Sequence, residues 1–360
     1  MAMELQQQNY GGNNSEGPRV PTSELVQFLS RPSTYPHRAS QVQTIETHLS
    51  WVFLVGGFVY KLKKAVKRPG ADFRKLAARK KNCLEELRLN RRLAPDCYLE
   101  VIPVSLSADG QSLQLNGAGS VLDYLVKMVR LPADRMLDRR LARGDITPAE
   151  VRPVARVLSD FYTSRRPEGI SKTSYRKRLR RDCLACEESF QSARLEVPLE
   201  TLAGLSFKLH RFLKTHAHLL DQRVEEHRII EGHGDLRPEH ICLTQPPVVF
   251  DCLEFRRSLR VTDPLAELGF LAVECERMER RDIGAEIVSV YRARAADTAP
   301  DALLYFYMAL AAFVRAKLAA WHLDDPEPRG TRYWLQRVHD YLELTDQYSH
   351  LAITQEAPQR

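Results

Sequence analysis

The chain has 360 residues, 44% hydrophobic and 28% charged, with a net charge of +7, enough for one large or two modest cores. No stretch reads as 18 or more uninterrupted apolar residues, so a membrane span is not expected. The basic balance favours anionic partners such as phosphates, acidic metabolites or nucleic acid.

Residues 1–20 are polar and rich in Gly, Asn and Gln, with no basic start or apolar core. They read as a disordered tail rather than a signal peptide, which gives a cytoplasmic expectation. A short helix is expected at 23–30. The segment 43–64, QTIETHLSWVFLVGGFVYKLKK, is rich in β-branched and aromatic residues and reads as a hairpin turning at Gly56-Gly57. A helical pattern follows from Asp72 to Leu93. Strands are expected at 99–106, 112–115 and 121–129, with a turn at Ala108-Asp109-Gly110. The first 130 residues therefore predict an antiparallel sheet with one helix against it.

After MVRLPAD the character changes. Thr147-Pro148-Ala149-Glu150 is a capping box with Pro at the first helical position, and Val151, Val154, Leu158 and Phe161 continue it at helical spacing. Helices are expected at 173–191, 200–222, 263–279, 283–293, 301–323 and 331–349, interrupted by short strands at 240–243 and 247–250. The basic run KTSYRKRLRRD, 172–182, reads as a solvated helix face. The seven cysteines are scattered, and only Cys183 and Cys186 form a CxxC. No second pair completes a zinc set, so an inert, reduced role is expected.

Chemistry concentrates in HGDLRPEH, 233–240, and VVFDCLEF, 248–255. An isolated HxD is usually a capped turn. Here Asp251 follows a strand, so it and Asp235, with Glu254 and His240 nearby, supply the oxygen-rich donors that suit Mg²⁺. In FVYKLKK, strand alternation puts Val59, Lys61 and Lys63 on one face, an apolar residue followed by ammonium groups, suitable for an aromatic base and its phosphates. An exposed strand lysine is otherwise edge protection. On the helix 72–93, Glu86 shares a face with Cys83, Leu89, Asn90 and Leu93. A carboxylate there is costly unless paired with a cation, which makes Glu86, not Glu85, the partner of a strand lysine.

HGDLRPEH and FDCLEF together resemble the catalytic and metal motifs of the aminoglycoside phosphotransferase family in the protein-kinase-like superfamily, in particular a bacterial group often fused to a P-loop ATP-binding domain. The resemblance runs from about 22 to 325, through EELRLNRRLAPD, DPLAELGFLAVE and VRAKLA. The kinase loop H-R-D-L-K-P-E-N aligns with 233–240 nearly residue for residue. It implies an α+β, bilobal protein-kinase-like fold, with an antiparallel β-sheet N-lobe carrying one helix and a mainly helical C-lobe. The divisions would be a tail at 1–20, a nucleotide-binding lobe at 21–130, a catalytic and acceptor lobe at 131–350, and a tail at 351–360.

The resemblance further implies ATP-dependent transfer of the γ-phosphate to a hydroxyl of a small molecule or protein. Lys61 would contact the α/β-phosphates and pair with Glu86, and Met128 to Arg130 would form the hinge that reads adenine. Asp235 would orient the acceptor hydroxyl or take its proton, Arg237 would lie near the phosphoryl group, and Asp251 would bind Mg²⁺. Asp263 would anchor the catalytic loop from behind.

Two positions depart from the pattern. IETHLS lacks a glycine-rich sequence, so Thr47, His48 and Ser50 would cover the phosphates instead. His240 replaces the usual metal-binding Asn, which admits Mn²⁺ beside Mg²⁺ or marks a pseudokinase that regulates rather than catalyses. A separate P-loop ATPase is an expected partner, and nucleic acid is not. The C-terminal helices lack an acidic cluster, so an aminoglycoside is not the expected acceptor.

Overall fold

Apolar alternation in SWVFLV and FVYKLK builds β2 (Ser50–Val55) and β3 (Phe58–Lys63), which pair in antiparallel register from Val55↔Phe58 to Ser50↔Lys63. The two-residue connection is Gly56-Gly57, with Gly56 at φ +56°, the left-handed region that Gly enters without strain. The computed structural model describes residues 20–37, 39–68, 70–192, 197–323 and 330–354. The expected tail thus falls outside the described residues, save Val20. The chain divides into two units, Met1–Leu87 with Tyr98–Arg130, and Arg88–Cys97 with Leu131–Arg360.

In the first unit, α1 (Thr22–Leu29) and β1 (Val42–Glu46) precede this hairpin. After it come β4 (Lys67–Arg68), β5 (Ala71–Asp72), α2 (Leu76–Asn90), β6 (Tyr98–Leu106), β7 (Leu113–Leu115) and β8 (Ser120–Val129). The sheet order is β1-β2-β3-β8-β6-β7, antiparallel throughout. One face, with Phe53, Tyr60, Leu62 and Ile102, forms a core with Leu25 and Leu29 of α1. Charge ties α2 to the sheet. Arg79 Nε donates to Asp123 Oδ1 at 2.9 Å, and both side chains are buried. The helix expected from Asp72 starts instead at Leu76, because Asp72 pairs with Lys67 across β4–β5 and its carboxylate accepts from Arg74.

The second unit contains α3 (Leu137–Arg143), α4 (Pro148–Thr163), α5 (Lys172–Ser192), α6 (Leu199–Thr215) and α7 (Ala217–Glu225). Short strands follow, β9 (Ile230–Glu231), β10 (Ile241–Cys242), β11 (Val248–Val249) and β12 (Val261–Thr262). The chain continues through α8 (Pro264–Arg277), α9 (Arg281–Ala295), α10 (Asp301–Trp321) and α11 (Thr331–Thr354). The Thr147–Glu150 capping box is formed at α4. The single helix expected over 200–222 is broken at His216 into α6 and α7, and α11 continues to Thr354, past its expected end.

Helix α10 is long and apolar enough to cross a membrane, yet 67% of its most apolar window is buried inside the protein, as befits a core helix. The basic run on α5 is not simply solvated, since Arg176 pairs with Asp221 of α7 at 2.7 Å. All seven cysteines are free and buried. Burial pushes the Cys183 thiol up strongly and Cys186 to about 12, consistent with an inert pair.

A buried network sets the helix arrangement in this unit. Arg223 of α7, 2% exposed, donates to Asp263 at 2.7 and 2.8 Å and to Asp297 at 2.9 and 2.6 Å. Asp263 also caps α8 through Leu265 N and accepts from the Tyr307 hydroxyl of α10. Arg223→Met would leave two buried carboxylates without a cation. It is expected to cost about 3–5 kcal/mol, read as a lowered urea midpoint for the helical unit.

Candidate active site

In the first unit, the face of β3 opposite the α1 core carries Val59, Lys61 and Lys63. Across the sheet Val59 pairs with Leu54 and Met128, and Lys61 with Val52 and Val126. Apolar side chains thus surround the lysines. Lys61 Nζ is 3.0 Å from Glu86 Oε1, and Lys63 Nζ is 2.5 Å from Oε2. Glu86 is fully buried and Lys63 nearly so, whereas the Lys61 side chain is 16% exposed. Two ammonium groups on one carboxylate leave this trio net positive, with Lys61 its more open member. Arg130 donates its backbone N–H to Gly57 O at 2.8 Å, and its side chain is exposed.

The β1–β2 turn does not offer its hydroxyls as expected. Thr47 Oγ1 accepts from Ser50 N at 3.0 Å and donates to Ser50 O, closing the turn on itself. Ser50 is 2% exposed, so its side chain does not form a surface cover. Thr47 and His48 are the exposed members of the turn.

In the second unit, residues 233–240 run from β9 to β10 as an irregular loop whose backbone groups need side-chain partners. His233 is buried. Its Nε2 stands 2.9 Å from Phe250 O, which can only accept, so Nε2 carries the proton and Nδ1 accepts from Asp235 N at 3.3 Å. Burial, reinforced by the neighbouring His240, lowers the His233 pKa from 6.5 to about 4 and keeps the ring neutral. Gly234, at φ +86°, donates its N–H to Glu267 Oε1 at 2.5 Å, and Glu267 Oε2 accepts from the Tyr162 hydroxyl at 2.9 Å. Burial raises the Glu267 pKa despite these donors.

His240 brings the two carboxylates together. Its Nδ1 is 2.8 Å from the Asp235 carbonyl, and its Nε2 is 3.3 Å from Arg237 Nη2 and 3.5 Å from Asp251 Oδ2. Asp235 Oδ2 lies 3.7 Å from Nδ1. Asp251 itself sits at φ +58°, a left-handed conformation uncommon outside Gly and one that gathers at functional sites. Arg237 Nε is 3.0 Å from Asp235 Oδ1 without hydrogen-bond alignment, and Nη1 donates to Glu239 at 2.6 Å.

Among the described residues, no three or more ligating side chains converge. Asp251 alone would give a divalent ion the single carboxylate with which Mg²⁺ is often held beside phosphate and water, and His240 would add a softer nitrogen donor. The carbonyl behind Nδ1 is the usual way a ligating imidazole is oriented.

No protein-family model matches the chain. An uncharacterized protein of Mycobacterium tuberculosis strain H37Rv is 29% identical over 290 residues, covering 79% of this chain and 56% of that protein. The same figures hold for an uncharacterized protein of Mycobacterium bovis. The chain therefore spans little more than half the length of these relatives. Among solved structures, a thermostable mutant of an aminoglycoside phosphotransferase in its apo form aligns with a TM-score of 0.52 at 13% identity, covering 88% of this chain and 96% of that one. Choline kinase from Cryptosporidium parvum aligns at 0.52 and 11% identity, covering 93% and 98%. A choline/ethanolamine kinase family protein from Mesorhizobium loti aligns at 0.50 and 15%, covering 92% and 98%. The fold is protein-kinase-like.

Sequence reasoning missed several supports of this kinase-like loop. Asp263 was expected to anchor it, but Asp263 binds Arg223, Tyr307 and Leu265 N, and the loop rests on Glu267, one helical turn further on. Arg92 donates to the carbonyls of Glu231 and Gly232 at 3.1 and 2.8 Å, and Asn90 Oδ1 accepts from Cys252 N at 2.8 Å. A polar Asn90 on the same apolar stripe as Glu86 was the available signal.

The neutral His233 has a consequence for stability. Between pH 6.5 and about 4, the unfolded chain binds a proton at this position that the folded chain refuses, so stability falls as pH falls through that window. The contribution is about 3 kcal/mol at most. His233→Gln keeps a donor for Phe250 O, and its urea midpoint is expected to decline less steeply than wild type across the window.

Proposed function

We propose that this chain is an ATP-dependent phosphotransferase acting on the hydroxyl of a small molecule. The observation that carries the reading is the arrangement of Asp235 and Asp251 about one buried imidazole, 3.7 and 3.5 Å from its two nitrogens. One carboxylate remains available for an acceptor proton and the other faces a metal-competent nitrogen. The fold neighbours, by name a phosphotransferase and members of the choline/ethanolamine kinase class, support the same reaction type.

In this reading Lys61, held by Glu86, binds nucleotide phosphates beside the apolar strip of Val59 and Met128. Asp235 orients the acceptor hydroxyl and takes its proton, and Arg237 stabilises charge on the transferring group. Asp251 and His240 hold the divalent ion, Mg²⁺ or Mn²⁺, which when bound neutralises phosphoryl oxygens. The Thr47 hydroxyl is engaged within its own turn and Ser50 is buried, so any cover for the phosphates falls to the backbone N–H groups and His48 there.

Thermal shift with ATP and Mg²⁺ or Mn²⁺ is expected to stabilise the chain, and no shift with either metal would sink the proposal. Asp235→Asn is expected to lower ATP turnover by about 10²–10⁴-fold while the ATP-dependent shift persists. Unchanged turnover would remove Asp235 from the chemistry. Lys61→Ala is expected to weaken nucleotide binding more than Lys63→Ala. Lys63→Ala should cost more stability, because its ammonium is the buried one.

A further inference from the structure

A second charged cluster lies in the helical unit, centred on α8, which packs against residues 238–240 of the catalytic loop. Glu274 of α8 is 1% exposed. Its Oε1 accepts from Arg315 Nε of α10 at 2.8 Å and from the Tyr341 hydroxyl of α11 at 2.7 Å, and its Oε2 faces Arg277 Nε at 3.4 Å. Both guanidinium groups also lie over the Tyr341 ring, 5.6 and 5.7 Å from its centroid. One carboxylate and a neutral phenol thus hold two cations, and the cluster is net positive.

Each arginine gives only its Nε to Glu274. Among the described residues, no side chain or carbonyl accepts from the Nη groups of either one, and the two side chains are 14 and 15% exposed. A fixed Nε with uncommitted Nη donors leaves a planar fork, the shape that binds carboxylate or phosphate oxygens in pairs. Its place relative to the catalytic loop follows from α8, which holds the Gly234 amide through Glu267, packs against residues 238–240 and carries Glu274 two turns further along. Burial opposes the Arg315 cation, but Glu274, Tyr341 and then Asp235 outweigh it, and Arg315 in turn acts on Arg237 and Glu239. Amino sugars and amino alcohols would meet like charge at this position.

We propose that the acceptor is an anionic alcohol, whose carboxylate or phosphate monoester is bound by Arg315 and Arg277 while its hydroxyl faces Asp235. The proposal rests on the phosphotransferase reading above. In the reaction the alcohol oxygen bonds to the γ-phosphorus of ATP as the bond to the β–γ bridging oxygen breaks. ADP leaves, and the hydroxyl proton passes to Asp235 and then to solvent.

The test incubates the chain with γ-labelled ATP and four acceptor panels: hydroxycarboxylates, sugar monophosphates, neutral polyols, and amino sugars with amino alcohols. Label is expected in one of the two anionic panels, and which one separates carboxylate from phosphate recognition. Arg315→Gln is expected to raise the KM of that acceptor about tenfold or more, the loss of a charge-assisted contact, with a smaller change in kcat. Arg315→Lys, which keeps the charge without the fork, is expected to recover part of that loss. The Gln variant leaves Glu274 with Arg277 and Tyr341, so no carboxylate is orphaned. No label in either anionic panel overturns the proposal, as does an Arg315→Gln KM within about twofold of wild type. If ADP release then still depends on Asp235, the phosphotransferase reading stands and only the acceptor class falls. If it does not, both fall.

Discussion

An irregular loop inside a protein has no ladder or helix to satisfy its amides and carbonyls, so each must find a partner elsewhere. Residues 231–240 meet this constraint with side chains drawn from distant parts of the chain. Glu267 takes the Gly234 amide, Arg92 takes the carbonyls of Glu231 and Gly232, and His233 links the Asp235 amide to the Phe250 carbonyl. Of these partners, Glu267 is held by α8 and Arg92 by the turn after α2, while His233 belongs to the loop. The loop's shape is therefore set in part from outside it.

Charge is distributed unequally, and the inequality separates structural from chemical roles. In the Arg223 network one guanidinium serves two carboxylates, and Tyr291 and Tyr307 hydroxyls add neutral donors. That network is buried, and all three guanidinium nitrogens donate within it. At Glu86 and at Glu274 the ratio is reversed, one carboxylate holding two cations. Anion binding is the chemistry such clusters would serve in the proposed function, a nucleotide at the first and an acceptor at the second.

Local grammar made much of this legible. The Gly56-Gly57 turn, the strand alternation of FVYKLKK, the Thr147–Glu150 box and the helical stripes all follow from residues near in sequence. Glu86 was legible for a different reason, because a carboxylate on an apolar stripe has to be paired. The same logic applied to Asn90 would have found a support of the 250–253 segment. What escaped was long-range or marginal. His216 breaks a helix that its neighbours would allow to continue, and Asp72 is captured by a small hairpin. Asp263 and Glu267 are both acidic and one turn apart on DPLAELG, and only the packed structure decides which one faces the loop. Ser50 looked available because strand ends are often open, and burial is a property of the whole sheet.

The free cysteines offer something the chemistry does not use. Each of the seven is buried, yet they are spread over α2, the residue before β6, α5, β10, the segment after β11, and α8. A thiol reagent that cannot reach them in the closed protein can modify each only when its own neighbourhood opens. Alkylation followed by peptide mapping would thus time the opening of Cys252, which donates to the His233 carbonyl at the base of the loop, separately from that of Cys183 and Cys186 in α5. The chain carries its own set of clocks for local unfolding, readable without adding a label.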